Sequence, residues 1–352
     1  MNKLRVAVIG CGSISHFHME GYLRLADRVE VVAGCDIDGE KLKAWGEKFG
    51  ITQLYTDYNE MLEKVKPDCV SVTTWNAAHK GATVAALNAG ANVICEKPMA
   101  MNAAEAQEML DASKRNRKLL QIGFVRRFGK DAMAFKKLAE DGMIGDVYYA
   151  KATYLRKNGC PGGWFGDKRF SGGGPLIDLG VHVIDLSRYL AGNPKPVSAY
   201  GVTYNNLGCN RASGGVQGWT IESKDEYEYS VEDMASAMVR FDNGFTLQVE
   251  ASFNLNIEQD TGFVDIFGTK AGAKLAGPLK LYTSLSGMFA DVAMPEGTAF
   301  SMDAFNDEIR GFIDAVEGKK ECVATAEDGL ALMKILDAIY ESAKTGRSVD
   351  IK

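Results

Sequence analysis

Along the first third of the chain, short continuous β-branched runs alternate with stretches of helical spacing. The runs at residues 4–9, 29–35, 69–73, 92–95 and 119–122 predict strands buried on both faces, and the stretches between them predict crossover helices. That is the pattern of a parallel sheet covered on both sides. Asp38 is placed to cap a helix carrying Leu42, Trp45 and Phe49, with Gly50 as its stop. Asp57 with Glu60, and Asn102 with Glu105, have capping-box spacing and predict two further helix starts.

The pattern changes after Gly123. A helical stretch over 131–141 leads into an alternating stretch over 146–155. Ala235, Ala237, Val239 and Phe241 alternate, Asp242-Asn243-Gly244 supplies turn chemistry, and Phe245, Leu247, Val249, Ala251 and Phe253 alternate again, which predicts an antiparallel hairpin. Further strand-like runs at 197–204 and 262–267 extend this to a mainly antiparallel sheet whose open face can bury itself against a second subunit. Phe305, Ile309, Phe312 and Val316, then Leu332, Ile335, Leu336 and Ile339, predict two closing helices. A doubly wound α/β domain over 1–123 and an α+β domain over 124–352 follow.

Composition agrees with this division and narrows the partners. A chain of 352 residues with 46% hydrophobic content exceeds what one core usually organises. A net charge of -6 offers no attraction to nucleic acid or anionic lipid, so the expected partner is a small molecule. Seven scattered cysteines with no Cys-x-x-Cys spacing read as reduced thiols, and no apolar run approaches a membrane span. A cytoplasmic location is the expectation.

The candidate chemistry begins at Gly10-Cys11-Gly12-Ser13-Ile14-Ser15, directly after the first strand. Its first glycine suits a tight turn and its second lets backbone N–H groups approach a pyrophosphate at a helix N-terminus, although Ser15 stands where this fingerprint prefers glycine or alanine. Asp36 ends the second strand 24 positions after Gly12, where a carboxylate takes ribose hydroxyls and repels a 2′-phosphate. The dinucleotide is accordingly NAD, with NADP less favoured. Gly10, Gly12, Ser13, Ile14 and Asp36 are cofactor-site candidates. Thr74, Trp75, Asn76 and His79, beyond the carboxyl end of the third run, are placed to line the cofactor or to cap the next helix.

Glu96-Lys97-Pro98 also follows a strand's carboxyl end, where ligands of doubly wound sheets bind. Lys97 can hydrogen-bond a substrate hydroxyl and support a developing alkoxide, with Glu96 beside the cofactor and Pro98 in a cis bond. In the Gly172-Gly173-Gly174 segment and its sequel, a loop feeding a helix, Asp178 and His182 are four apart and share a face. His182 is the natural proton acceptor at neutral pH and Asp178 its orienting neighbour. Leu179, Val183, Leu186 and Leu190 form the adjoining apolar stripe. Trp164 offers a flat face for a sugar ring or serves as a loop plug, and Asp167, Lys168 and Arg169 offer polar handles. Arg126, toward substrate, and Arg127, toward cofactor, follow the domain junction unless they are surface arginines. His16 and His18 form His-x-His, but an early helix points them to different sides, so no metal is assigned.

Together these residues resemble the glucose-fructose oxidoreductase, inositol dehydrogenase and MocA (Gfo/Idh/MocA) family. The resemblance runs from the glycine turn and Asp36 through Glu96-Lys97-Pro98, Arg126-Arg127-Phe128 and the Asp178/His182 segment. It continues through Val231-Glu232-Asp233 and Gly268-Thr269-Lys270-Ala271-Gly272 to the closing Ser342-Ala343-x-Thr345-Gly346-x-Ser348-Val349. It implies a Rossmann domain followed by an open-sheet domain, assembled as a homodimer or homotetramer. It also implies a Lys, Asp and His set matching Lys97, Asp178 and His182, with the histidine as base. Trp75 departs from the proline the family commonly has there, and the stretch from Arg156 to Trp164 looks like branches that oxidise glycosides at a ring hydroxyl. The expected activity is NAD(P)-dependent oxidation of a secondary hydroxyl on a sugar, glycoside or polyol. Two alternatives share the fold: a redox-neutral glycosidase with tightly bound NAD, and a nucleotide-sensing regulatory protein without turnover.

Overall fold

A computed structural model describes residues 3–208 and 227–352, which leaves Cys209 outside the described residues. The chain forms two compact units, one of Met1–Val125 with Met302–Leu330 and one of Arg126–Ser301 with Ala331–Lys352.

In the first unit, β1 (Leu4–Ile9), β2 (Val29–Cys35), β3 (Leu54–Tyr55), β4 (Cys69–Val72), β5 (Asn92–Glu96) and β6 (Leu120–Gly123) form one sheet in the order β3-β2-β1-β4-β5-β6. Every pairing is parallel. The five predicted strands are present, and β3, two residues long, is the one without a sequence signal. Helices α1 (Ser13–Leu23), α2 (Gly39–Phe49), α3 (Tyr58–Val65), α4 (Asn76–Asn88) and α5 (Ala103–Asn116) connect them. The three predicted caps, Asp38, Asp57 and Asn102, are side-chain caps. Asp38 Oδ1 accepts from the backbone N–H groups of Glu40 and Lys41 at 3.1 and 3.0 Å, and Gly50 ends α2 at φ 70°. Asn102 accepts from Glu105 N–H at 2.9 Å, but Glu105 reaches back to Met101 N–H rather than to the cap itself. Asp57 caps through Asn59 N–H at 2.8 Å. The strand order reverses between β1 and β4, so the loops leaving β1, β4 and β5 sit at the switch point where such sheets take ligands.

A single cut at 123 does not describe how the chain packs, because Met302–Leu330 returns to the first unit. Helix α9 (Ala304–Val316) lies against α1, where a Cβ on Gly21 would stand 2.7 Å from Ile309, and the Phe17 and Phe305 rings stack at 4.8 Å. Ile309, Phe312 and Ile313 join Val6, Tyr22 and Ile94 in one core.

The second unit holds α6 (Lys130–Glu140), β7 (Val147–Leu155), α7 (Lys168–Ser171), α8 (Val181–Leu190), β8 (Pro196–Tyr204), β9 (Met234–Phe241), β10 (Thr246–Ser252), β11 (Thr261–Gly268), β12 (Ala271–Leu275), β13 (Lys280–Leu285) and β14 (Met288–Ala293). Most of α10 (Ala326–Thr345) and β15 (Val349–Asp350) complete it. Its nine described strands run β14-β13-β12-β11-β7-β10-β9-β8-β15, antiparallel except for β7 with β10. The predicted hairpin is β9–β10, in register from Met234↔Ser252 to Arg240↔Thr246, with Gly244 at φ 87° in its turn. Leu247, Val249, Ala235, Ala237 and Val239 point inward, while Tyr200, Tyr204, Met238 and Tyr282 on the opposite face are 41–48% exposed. This open face is the one the alternation predicts.

Candidate active site

The glycine turn is built as its composition requires. Gly10 has φ 93°, and a Cβ there would stand 2.6 Å from the Thr73 carbonyl, so no other residue lets β1 and β4 leave the sheet this closely. Gly12 N-caps α1 without a side-chain cap, α1 carries no acidic residue in its first turn, and nothing lies within 4 Å of where a Gly12 Cβ would point. Open space therefore lies beside Gly12 at the positive end of the helix dipole, next to exposed Ser13 and half-buried Ile14. Ser15 departs from the fingerprint for a local reason: its buried hydroxyl donates to Gly12 O at 2.6 Å and accepts from Trp45 Nε1 at 3.0 Å.

Asp36 is locked beside this turn. Its Oδ2 accepts from Cys11 N–H at 2.8 Å and its Oδ1 from Asp38 N–H at 2.9 Å, which fixes an anion at the carboxyl end of β2. A turn with an open backbone face and a carboxylate beside it fits the diphosphate and ribose of NAD. Burial pushes the thiols of Cys35, Cys69 and Cys95 up to about 12.

After β4, Thr73 Oγ1 donates to Gly10 O at 2.5 Å, Thr74 and Trp75 are half-buried, and Asn76 is buried at the start of α4. His79 does not face open space: it is 0% exposed, with Nδ1 2.7 Å from Pro98 O and Nε2 3.1 Å from Thr74 O. At the end of β5, Lys97 is half-buried and its bond to Pro98 is cis. Glu96 points into the interior. Its Oε2 accepts from Lys97 N–H at 3.1 Å, and its Oε1 meets His18 Nε2 at 3.0 Å. Burial pushes this carboxyl up, but the His18 hydrogen bond and the His18 and Lys97 charges outweigh it and hold the carboxyl below its ordinary value. His18 is buried with Nδ1 3.0 Å from Ser71 Oγ, whereas His16 packs on Phe49, so the two point apart as the helix requires. His18, Glu96 and Glu308 bring ligand-type atoms within 4.8 Å of one another, a grouping hidden from sequence because Glu308 arrives with α9.

In the second unit, Asp178 sits in a π-helical turn, Leu176–Gly180, that runs directly into α8, where His182 occupies the first turn. Asp178 is buried, His182 is half-buried, and Leu179, Val183, Leu186 and Leu190 are buried as the stripe predicts. Glu232 holds the start of this turn: its carboxylate accepts from Gly174 N–H at 3.0 Å, Leu176 N–H at 3.2 Å and the Tyr340 hydroxyl at 2.9 Å. Burial raises the Glu232 carboxyl above its ordinary value despite these donors. The Val231-Glu232-Asp233 segment belongs to the family resemblance, but nothing in its sequence shows that Glu232 reaches this turn.

Arg127 is committed elsewhere than the surface. It is 1% exposed and forms a bidentate pair with Asp185 on α8, Nε to Oδ2 at 2.9 Å and Nη2 to Oδ1 at 2.6 Å, with Tyr189 over its plane. Arg126 stays half-buried, paired with Asp131 at 3.1 Å and lying over Phe300. Trp164 is half-buried and stacks one face on Phe165 at 3.9 Å. Asp167 N-caps α7 and pairs with Arg169. Lys97 belongs to the first unit, and Asp178 and His182 belong to the second.

Residues 4–124 match the family model for the oxidoreductase family's NAD-binding Rossmann fold, and residues 136–351 match its C-terminal alpha/beta domain. The chain belongs to the Gfo/Idh/MocA oxidoreductase family. It is 37% identical over 357 residues to the D-glucoside 3-dehydrogenase of Escherichia coli K12, covering 99% of this chain and 98% of that one. An inositol 2-dehydrogenase of Salmonella typhimurium is 25% identical over 98% of this chain and 96% of its own. Levoglucosan dehydrogenase solved with NADH shares the fold at TM-score 0.85 and 24% identity, with both chains fully covered. As a family member the chain is an NAD-dependent oxidoreductase, and no helix among its described residues is long and apolar enough to cross a membrane.

Proposed function

We propose that the chain oxidises a secondary ring hydroxyl of a glucoside to the ketone, with NAD as oxidant. The observation that carries the substrate class is the end-to-end 37% identity with D-glucoside 3-dehydrogenase. Gly10, Gly12, Ser13 and Ile14 bind the diphosphate and Asp36 the ribose, with Thr74, Trp75 and Asn76 beside the cofactor. When bound, NAD supplies the hydride acceptor. His182 removes the hydroxyl proton, Lys97 stabilises the developing alkoxide, and Asp178 orients the imidazole. Arg126 and Trp164 contact the sugar. The open sheet face bearing Tyr200, Tyr204, Met238 and Tyr282 buries itself in a homodimer or homotetramer, which sedimentation of wild type against Met238→Glu tests. The function is tested by incubating the protein with NAD and methyl glucosides, inositols and free sugars. NADH and a keto-glucoside are expected, whereas aglycone release without NADH contradicts this reading in favour of a redox-neutral glycosidase.

A further inference from the structure

His79 is fully buried one helical turn into α4, and its two ring nitrogens face two backbone carbonyls from different loops: Pro98 O at 2.7 Å and Thr74 O at 3.1 Å. Those loops leave β4 and β5 at the carboxyl edge of the sheet. Trp75, the N-cap of α4, gives no side-chain cap hydrogen bond, and the imidazole that faces these two loops comes from the first turn of the helix. On the other side of Lys97, its own N–H donates to Glu96 Oε2 at 3.1 Å, and Glu96 is anchored on buried His18 at 3.0 Å. The backbone around Lys97 is thus gripped from both directions, by His18 through Glu96 and by His79 through Pro98.

A neutral imidazole donates one N–H, so it hydrogen-bonds one carbonyl; the shorter contact selects Pro98, and Nε2 packs beside Thr74 O without donating to it. Burial holds the His79 ring below its ordinary pKa, against the pull of the two carbonyls, which is consistent with a neutral ring. A buried group with both nitrogens on backbone has no atom left for substrate, and any effect on chemistry passes through the loops it holds.

We propose that His79 is a positioning residue for Lys97, fixing the loop after β5 against the first turn of α4 so that the ammonium is presented in a single direction. This rests on the reading of Lys97 as the group that supports the alkoxide. Misplacing a catalytic group by about 1 Å costs on the order of 100-fold in rate, and that is the size of effect expected in kcat.

The experiment is a double-mutant cycle on the full chain with NAD and methyl glucoside, using His79→Ala, Lys97→Ala and the double variant, with NAD affinity measured by titration calorimetry. His79→Ala is expected to lower kcat by on the order of 100-fold while NAD affinity stays within about threefold, and added imidazole is expected to restore about tenfold of the loss by refilling the site. In the Lys97→Ala background His79→Ala should cost almost nothing more, because both changes remove one function. His79→Gln fills the site and reaches one carbonyl. It should keep the wild-type melting temperature and show a smaller drop in kcat with the same non-additivity, and it carries the test if the alanine variant does not fold. Additive losses in the cycle, a kcat within threefold of wild type, or a loss explained wholly by NAD affinity would overturn the proposal. If Lys97→Ala itself retains full activity, the reading of Lys97 fails instead, and the two failures are distinct.

Discussion

The N–H of Cys11 donates to Asp36 Oδ2 at 2.8 Å, so the residue between the two glycines of the turn fixes the carboxylate assigned to the ribose. Cofactor choice and turn geometry are therefore one structural unit. Asp36→Ser should lower kcat/KM for NAD by about 10- to 100-fold, the worth of hydrogen bonds to a charged acceptor, and raise that for NADP, since the anion that repels a 2′-phosphate is gone. Steady-state kinetics with both nucleotides checks this, and an unchanged NAD preference would remove Asp36 from the site.

The two glycines of the turn should respond oppositely to the same change. Gly10→Ala meets the Thr73 carbonyl at 2.6 Å with φ at 93°, so it should destabilise the fold by on the order of 3 kcal/mol. Gly12→Ala has open space around the new methyl and φ -78°, so the melting temperature should hold while NAD affinity falls about tenfold or more, because the methyl occupies the approach to the backbone. Thermal melts paired with NAD titration separate the two effects.

Arg127 and Asp185 form a buried bidentate pair, and removing one partner takes away the opposite charge paired with the other. Asp185→Asn or Arg127→Met alone should cost about 3–5 kcal/mol, and the double change Arg127→Met with Asp185→Leu should recover most of it. NAD affinity in the folded double variant should stay within about threefold of wild type, a margin under 1 kcal/mol. A tenfold loss there would support the cofactor contact that its sequence position suggests for Arg127.

Glu232 gives a pH dependence whose sign follows from its raised carboxyl. The folded protein holds that proton to higher pH than the unfolded chain does, so its contribution to stability is complete below the unfolded carboxyl pKa, about 4.3, and is lost as pH rises through the folded value. Glu232→Gln removes the titration. The stability of wild type relative to this variant should fall as pH rises through that window, measured by denaturant melts across the range, and a difference that grows with pH would refute the assignment. Glu232→Ala strands Gly174 N–H, Leu176 N–H and the Tyr340 hydroxyl, and should cost about 2–4 kcal/mol at low pH, a cost that shrinks as pH rises through the same window.

The parallel strands were legible because strands buried on both faces read as continuous apolar runs, and β9–β10 because alternation and Asn243-Gly244 specify a hairpin with one wet face. Strand β3 is too short to carry a period. The return of Met302–Leu330 to the first unit was invisible for a different reason: α9 shows its apolar stripe, but only the fit of Ile309 against Gly21 decides which core receives it. The site was legible where backbone conformation dictates residue type, as at Gly10, and where charge sits at a strand end, as at Asp36. It was illegible where a partner comes from far along the chain: 58 residues separate Arg127 from Asp185 and Gly174 from Glu232. His79 shows the same limit: its position left lining the cofactor and capping the next helix both open, and the carbonyls its ring faces come from two different loops.

The central claim is that an imidazole and an ammonium act on one substrate hydroxyl during oxidation by NAD. The most direct measurement is NADH formation from methyl glucoside at saturating NAD by wild type, His182→Asn, Lys97→Ala and the double variant, all with NAD affinity verified. Each single change is expected to lower kcat by on the order of 100- to 10,000-fold, the range for loss of a general base, with the double variant no more than slightly worse. Wild-type rates in both single variants would contradict the account.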